Sequence, residues 1–167
     1  MNDQRTLLLM RHAKSDYPAG VADHDRPLAP RGVREAGLAG DWLRANAPAI
    51  DEVLCSTAVR TRQTLAQTRI DAPVRYLDRL YDASPGTVID EITEVDDTVN
   101  TLLVVGHEPT TSAVALGLAG DDGTDTDAVE RISAKFPTSA IAVLTVPCPW
   151  KGLELGRAAL IGFHVLR

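Results

Sequence analysis

Hydrophobic positions along this chain fall in short unbroken runs separated by longer amphipathic stretches. Leu7-Leu8-Leu9-Met10, Val53-Leu54-Cys55 and Leu102-Leu103-Val104-Val105 admit no polar residue, which is the pattern of strands buried on both faces. Pro73-Val74-Arg75-Tyr76 predicts a weaker strand, third of four in chain order. Between the runs the period changes. Val33, Ala36, Leu43 and Ala47 share one helical face, with Gly40 as a small member of the stripe. A second helix is predicted over 57–68, with Ser56 placed to cap it, and shorter helices over 87–94 and 112–118. The last part differs: 139–146 reads as a strand, Pro147-Cys148-Pro149 breaks it, and 155–165 returns as its antiparallel partner. Strands alternating with helices predict an α/β fold: a three-layer α/β/α sandwich around a mostly parallel, mixed sheet.

Length and composition narrow the picture. A chain of 167 residues suits one domain over 1–167, and 44% hydrophobic residues supply an ordinary core. No apolar run approaches the about 18 residues of a membrane span. Met1-Asn2-Asp3-Gln4-Arg5 is polar and precedes too few apolar residues for a signal peptide, so a cytoplasmic location is expected. Two cysteines, Cys55 and Cys148, read as free thiols, Cys55 as a small buried hydrophobe, and Trp42 and Trp150 read as core. A net charge of -6 argues against non-specific nucleic-acid binding while leaving room for a locally basic pocket. The acidic stretch 121–127 lacks the glycine position and terminal glutamate of a calcium loop and reads as a surface loop. Asp23-His24-Asp25 resembles a metal-ligand cluster, but its Pro- and Gly-flanked setting reads as a solvated turn, and no metal is expected.

Three of the predicted strands run into chemically loaded residues. The first ends in Arg11-His12, the second in Ser56 and a helix carrying Arg60 in its first turn, the fourth in Gly106-His107-Glu108-Pro109. Ligands of open α/β sheets bind at the carboxyl ends of the strands, so two histidines and two arginines are expected at one edge. Guanidinium groups bind phosphate oxygens in paired, charge-assisted hydrogen bonds, and a helix N-terminus adds donors and partial positive charge. A neutral imidazole attacks phosphorus in line while the arginines offset the charge.

These residues resemble the histidine phosphatase superfamily, which includes the phosphoglycerate mutases. Leu9-Met10-Arg11-His12-Ala13 is similar to its Arg-His-Gly signature, and Leu28-Ala29-Pro30-Arg31-Gly32 to its leucine-to-glycine helix start. Ser56-Thr57-Ala58-Val59-Arg60-Thr61-Arg62-Gln63-Thr64 resembles its Ser-x-x-x-Arg-x-x-Gln-Thr segment, and Val104-Val105-Gly106-His107 its final histidine motif. The resemblance implies that His12 is the nucleophile, that Arg11, Arg60 and His107 complete the phosphate pocket, and that no cofactor is used. The motif register selects Arg60 over Arg62. Ala13 stands where the family has glycine, Ala29 where a threonine cap is frequent, and Pro18 where mutase-like members have asparagine. The last departure points away from a mutase.

Only a short stretch separates Tyr76 from the strand at Thr101, where larger members insert a lid. The resemblance is therefore to the short bacterial phosphohistidine phosphatases of the SixA type, which Arg26-Pro27-Leu28 and Lys135-Phe136-Pro137-Thr138 also resemble. An open pocket would admit a phosphorylated side chain on another protein, and a phosphotransfer domain is the family expectation. The family places its proton donor two residues beyond a leucine after the third strand, and Leu80-Tyr81-Asp82 puts Asp82 there. Two alternatives stand beside this reading: a phosphatase for a small phosphate ester such as a sugar phosphate or nucleotide, and a non-catalytic phosphate-binding module.

Overall fold

The computed structural model describes residues 4–167, so Met1, Asn2 and Asp3 of the polar N-terminal stretch lie outside the described residues. Among these, β1 (Arg5–Arg11), β2 (Glu52–Ser56), β3 (Val74–Leu77), β4 (Thr101–Gly106), β5 (Ile141–Val146) and β6 (Ala159–His164) form one sheet in the order β3-β2-β4-β1-β5-β6. The first four strands pair in parallel, whereas β5 pairs antiparallel with β1 and β6 with β5. The helices are α1 (Pro30–Asn46), α2 (Val59–Thr68), α3 (Pro85–Thr93), α4 (Thr110–Leu118) and α5 (Thr126–Ala134).

The unbroken apolar runs follow from the two covered faces. Leu7, Leu9, Leu54, Leu102 and Val104 pack with Val88 and Ile92 of α3, Val114 and Leu118 of α4, and Ile132 of α5. Leu8, Met10, Val53, Cys55, Leu103 and Val105 point the other way, onto Ala39 and Leu43 of α1 and Leu65 of α2. Successive strand side chains alternate between faces, so a strand between two helical layers has no polar side. Each fully buried leucine or valine contributes about 1.5–3 kcal/mol of transfer free energy, which anchors both layers to the central strands. The result is a three-layer α/β/α sandwich. No helix among the described residues is long and apolar enough to cross a membrane.

Several boundaries differ from the sequence expectation. Val33 is 40% exposed, and the buried stripe of α1 runs instead through Gly32, Ala36, Ala39, Gly40 and Leu43. Glycine is required at two of these places. A Cβ on Gly32 would lie 2.1 Å from the Lys14 carbonyl oxygen, and one on Gly40 the same distance from that of Thr68. Helix α3 starts earlier than expected, with Ser84 Oγ accepting from the Thr87 N–H at 3.2 Å. The stretch 121–127 is largely exposed, but its end opens α5, which was not expected: Asp125 caps the helix, and Ala128 and Ile132, four apart, bury its inner side. The C-terminal strand is shorter than 155–165, and Leu155 is exposed. Cys55 and Cys148 are free and buried. Trp150 is fully buried and donates from Nε1 to the Val99 carbonyl at 2.8 Å, while Trp42 is only partly buried, 4.2 Å from the His164 ring.

Strand order places the chemistry. β4 inserts between β2 and β1, with Arg11 opposite Gly106 and Cys55 opposite Val105. The carboxyl ends of the three loaded strands are therefore neighbours. The segment from 78 to 100 holds only a 3-10 turn (Asp78–Leu80), α3 and short connections, with no lid insertion.

Candidate active site

His12 leaves β1 directly after Arg11, and its N–H donates to the Gly106 carbonyl at 3.0 Å, tying it to the end of β4. Its ring is 5.4 Å from that of His107 between centroids. Nδ1 of His12 lies 2.7 Å from the Ala13 carbonyl oxygen. A carbonyl only accepts, so Nδ1 carries the proton and Nε2 keeps its lone pair. Burial pushes the His12 imidazole down to about 3, against the Ala13 hydrogen bond, and the charges of His107, Arg11 and Arg60 lower it further. At neutral pH His12 is a neutral, oriented base.

The chain after His12 is held from α2. The Ala13 N–H donates to Thr64 Oγ1 at 2.9 Å, and Thr64 donates in turn to the Arg60 carbonyl at 2.7 Å. The Leu28 N–H donates to Gln63 Oε1 at 2.8 Å. Gln63 and Thr64 thus fix the two loops that frame the site. Ala13 sits at ordinary φ and is fully buried, so the missing glycine costs no strain. Ala29 precedes α1 without a side-chain cap.

Arg60 is the second residue of α2 and 7% exposed, while Arg62 points to solvent, 5.4 Å from the Tyr76 ring. Its Nη1 donates to the Asp23 carbonyl at 2.7 Å and its Nη2 to the Asp23 carboxylate at 3.1 Å. The same carboxylate accepts from Tyr81 Oη at 2.5 Å and Arg26 Nη1 at 2.8 Å. The Tyr81 hydroxyl first, then the two arginines, hold Asp23 well below the usual carboxylate range. The turn at 23–25 is therefore more than solvated surface. It is the anchor of Arg60, and its role was hidden because Asp23 and Tyr81 lie 58 residues apart. No group of three or more His, Cys, Asp or Glu among the described residues is arranged to hold a metal.

His107 follows β4 and faces Tyr81, with ring centroids 5.6 Å apart. Its Nε2 lies 2.8 Å from Ser56 Oγ, and that oxygen accepts from the Ala58 N–H at 3.3 Å, which leaves the Ser56 O–H to donate to the ring. Ser56 was expected to cap the helix, but α2 begins at Val59 after Ala58, and the serine orients His107 instead. Burial, then the Arg60 charge, pushes His107 down to about 4. His107 Nδ1 and Arg11 Nε are buried with no hydrogen-bond partner among the described residues. Arg11 Nη1 donates to the Phe136 carbonyl at 2.9 Å. With the Ser56 O–H donating to Nε2, the neutral His107 ring carries its proton on Nδ1, so Nδ1–H and Arg11 Nε–H are two donors left for a ligand rich in acceptor oxygens.

Asp82 sits in an exposed turn at φ 53, next to Tyr81, and its carboxylate makes no hydrogen bond among the described residues. Burial pushes the Cys55 thiol up to about 12, so it is inert at neutral pH.

Residues 7–101 match the model of the histidine phosphatase superfamily (branch 1), a span that includes Arg11, His12 and Arg60. The chain belongs to that superfamily. The uncharacterized protein Rv1276c of Mycobacterium tuberculosis is 71% identical over 158 residues, which are 95% of this chain and 100% of that protein. Among solved structures, a protein of Nakamurella multipartitia provisionally named phosphohistidine phosphatase SixA is 42% identical, with TM-score 0.89 over 98% of this chain and 96% of that one. An Agrobacterium tumefaciens protein with the same provisional name is 30% identical, with TM-score 0.80 over 96% and 97%. The fold and family are those of the SixA-type members of the superfamily.

Proposed function

We propose that this chain hydrolyses phosphohistidine on a partner protein through a phosphoryl group carried on His12. The observation that carries the reading is the Nδ1 contact of His12 with the Ala13 carbonyl at 2.7 Å, which leaves Nε2 unprotonated. In the first step Nε2 attacks phosphorus and forms an N–P bond while the bond to the substrate imidazole breaks. The substrate ring enters protonated on its other nitrogen, so the electron pair of the broken N–P bond stays on the leaving nitrogen and the ring departs as neutral imidazole. In the second step water attacks the same phosphorus, inorganic phosphate leaves, and His12 returns as the neutral base.

Arg11, Arg60 and His107 would hold the three peripheral phosphoryl oxygens, with the positive end of α2 behind Arg60. These groups do the work a metal does elsewhere, so we assign none, and activity that persists in chelator is the expected outcome. Imidazole leaves with a pKa near about 6.5, whereas an alkoxide resembles hydroxide, whose parent water has about 15.7. Phosphohistidine therefore needs little help from an acid. The exposed Asp82 is assigned as donor only for ester substrates. The similarity to the Nakamurella and Agrobacterium proteins supports the same substrate class.

The test is kcat/KM for a phosphohistidine protein against a panel of small phosphate esters, with His12→Ala as blank. A preference for the protein, abolished in the variant, supports the reading. A preference for one small ester moves the enzyme to small-molecule metabolism.

A further inference from the structure

A groove of about 520 Å³ opens beside the site, lined by Arg11, Lys14, Arg31, Lys135 and Arg167 around a single carboxylate, Glu35. It thus gathers five of the 17 lysines and arginines of a chain whose net charge is -6. Four separate segments converge to build it: the end of β1 with the loop after it, the start of α1, the stretch after α5 and the tail after β6. Glu35 is buried and pairs with Arg31 at 3.5 Å, so one cation is matched and no other side-chain carboxylate in the lining offsets the rest. The first turn of α1 holds no acidic residue, which leaves the positive end of a 17-residue helix facing the same region.

The groove is continuous with the catalytic residues at two points. Arg11 lines it. Ser139, fully buried at φ 67, donates its N–H to the carbonyls of Arg11 and His12 at 3.2 and 3.1 Å, which ties the Lys135 loop to the strand that presents the nucleophile.

We propose that this groove docks an acidic segment of the partner protein, with aspartate and glutamate side chains flanking the phosphohistidine. The idea deepens the phosphohistidine-protein reading and rests on it. An enzyme with an overall negative charge repels acidic proteins in general, and a local basic channel leading to the nucleophile selects those whose acidic residues lie next to the phosphorylated one. Complementary charge of this kind acts mainly on encounter, so it belongs in kcat/KM and fades with salt.

The test compares two synthetic phosphohistidine peptides, one with Asp and Glu flanks and one with Ser and Gly flanks, in wild type and in Lys135→Glu/Arg167→Glu. Both altered side chains are exposed and lie outside the phosphate pocket. Wild type is expected to prefer the acidic peptide by about tenfold in kcat/KM at low salt, which is about 1.4 kcal/mol. The preference shrinks in 0.5 M salt (about 4 Å screening) and disappears in the double variant, while turnover of p-nitrophenyl phosphate is unchanged. Equal rates for the two peptides, or a preference that survives the charge reversal, overturns the groove. The Ala/Ala pair at the same positions repeats the test should the reversal disturb folding. Anisotropy of a labelled acidic peptide without phosphate reads the groove independently of chemistry. Binding lost in the variant with no phosphohistidine turnover would sink the substrate reading and spare the groove. Equal displacement of that peptide by a single-stranded oligonucleotide would make it a general polyanion site and overturn the proposal.

Discussion

Lowering the pH from 7 to 5 weakens this fold through imidazoles that are buried in the neutral form, His12 above all. An unfolded histidine takes up a proton near 6.5, whereas folded His12 does so only at about 3. Between these values the unfolded chain binds more protons, so stability is complete above about 6.5 and declines as pH falls towards about 3. At 1.36 kcal/mol per pKa unit, the full loss is about 5 kcal/mol. That is comparable to the whole stability of a domain, about 5–15 kcal/mol, so acid unfolds the protein before most of His12 is charged. From pH 7 to pH 5 the His12 share is about 2 kcal/mol. Urea unfolding of wild type and His12→Gln, at both pH values, isolates it, because glutamine does not titrate. The variant should lose about 2 kcal/mol less than wild type over that interval. Identical losses would refute the claim that His12 is held neutral by burial.

Three further substitutions probe the network. Thr64→Val strands the buried Ala13 N–H, which costs about 1–3 kcal/mol and lowers Tm by about 2–4 °C for each, and kcat falls with it; thermal melting and steady-state kinetics check both. Asp23→Asn removes the carboxylate charge 3.1 Å from Arg60. Inorganic phosphate then inhibits at about two- to fivefold lower concentration, the range expected for a half-exposed ion pair, and an unchanged inhibition constant contradicts the pairing. Asp82→Asn slows alkyl phosphate hydrolysis by about a hundredfold or more and phosphohistidine hydrolysis by less than about tenfold. Equal losses on both substrates remove Asp82 from the role of acid.

Much of this was legible because the central strands have no polar side. The runs at Leu7, Val53 and Leu102 have the pattern of strands covered on both faces, and the residues ending such strands meet wherever the strands are neighbours. The placement of Arg11, His12, Arg60 and His107 near one sheet edge follows from that pattern, and the motif spacing points to Arg60 rather than Arg62. What stayed hidden depends on contacts between distant segments. Asp23 sits in a polar turn that looks solvated until Tyr81 and Arg60 are folded against it. Serine before a helix predicts a cap, yet the Ser56 hydroxyl goes to His107 across the sheet edge. The apolar pattern favours Val33 for the inner face because glycine carries no hydrophobic signal, whereas in the fold Gly32 lies against the Lys14 backbone. Helix α5 escaped because its polar approach resembled a loop and few apolar residues mark its inner side. The basic groove was invisible for the same reason as Asp23: its cations come from four distant stretches of the chain.

The central claim is that phosphate passes through His12, and rapid mixing with a phosphohistidine protein tests it directly. Quenching in alkali preserves N-linked phosphate, and mass spectrometry of the peptide containing His12 then reads the intermediate. The expected result is phosphate on His12 that forms before inorganic phosphate appears, decays with turnover, and is absent in His12→Ala together with the activity. Turnover retained by His12→Ala, or wild-type turnover with phosphate released at full rate and none ever found on His12, would contradict the account.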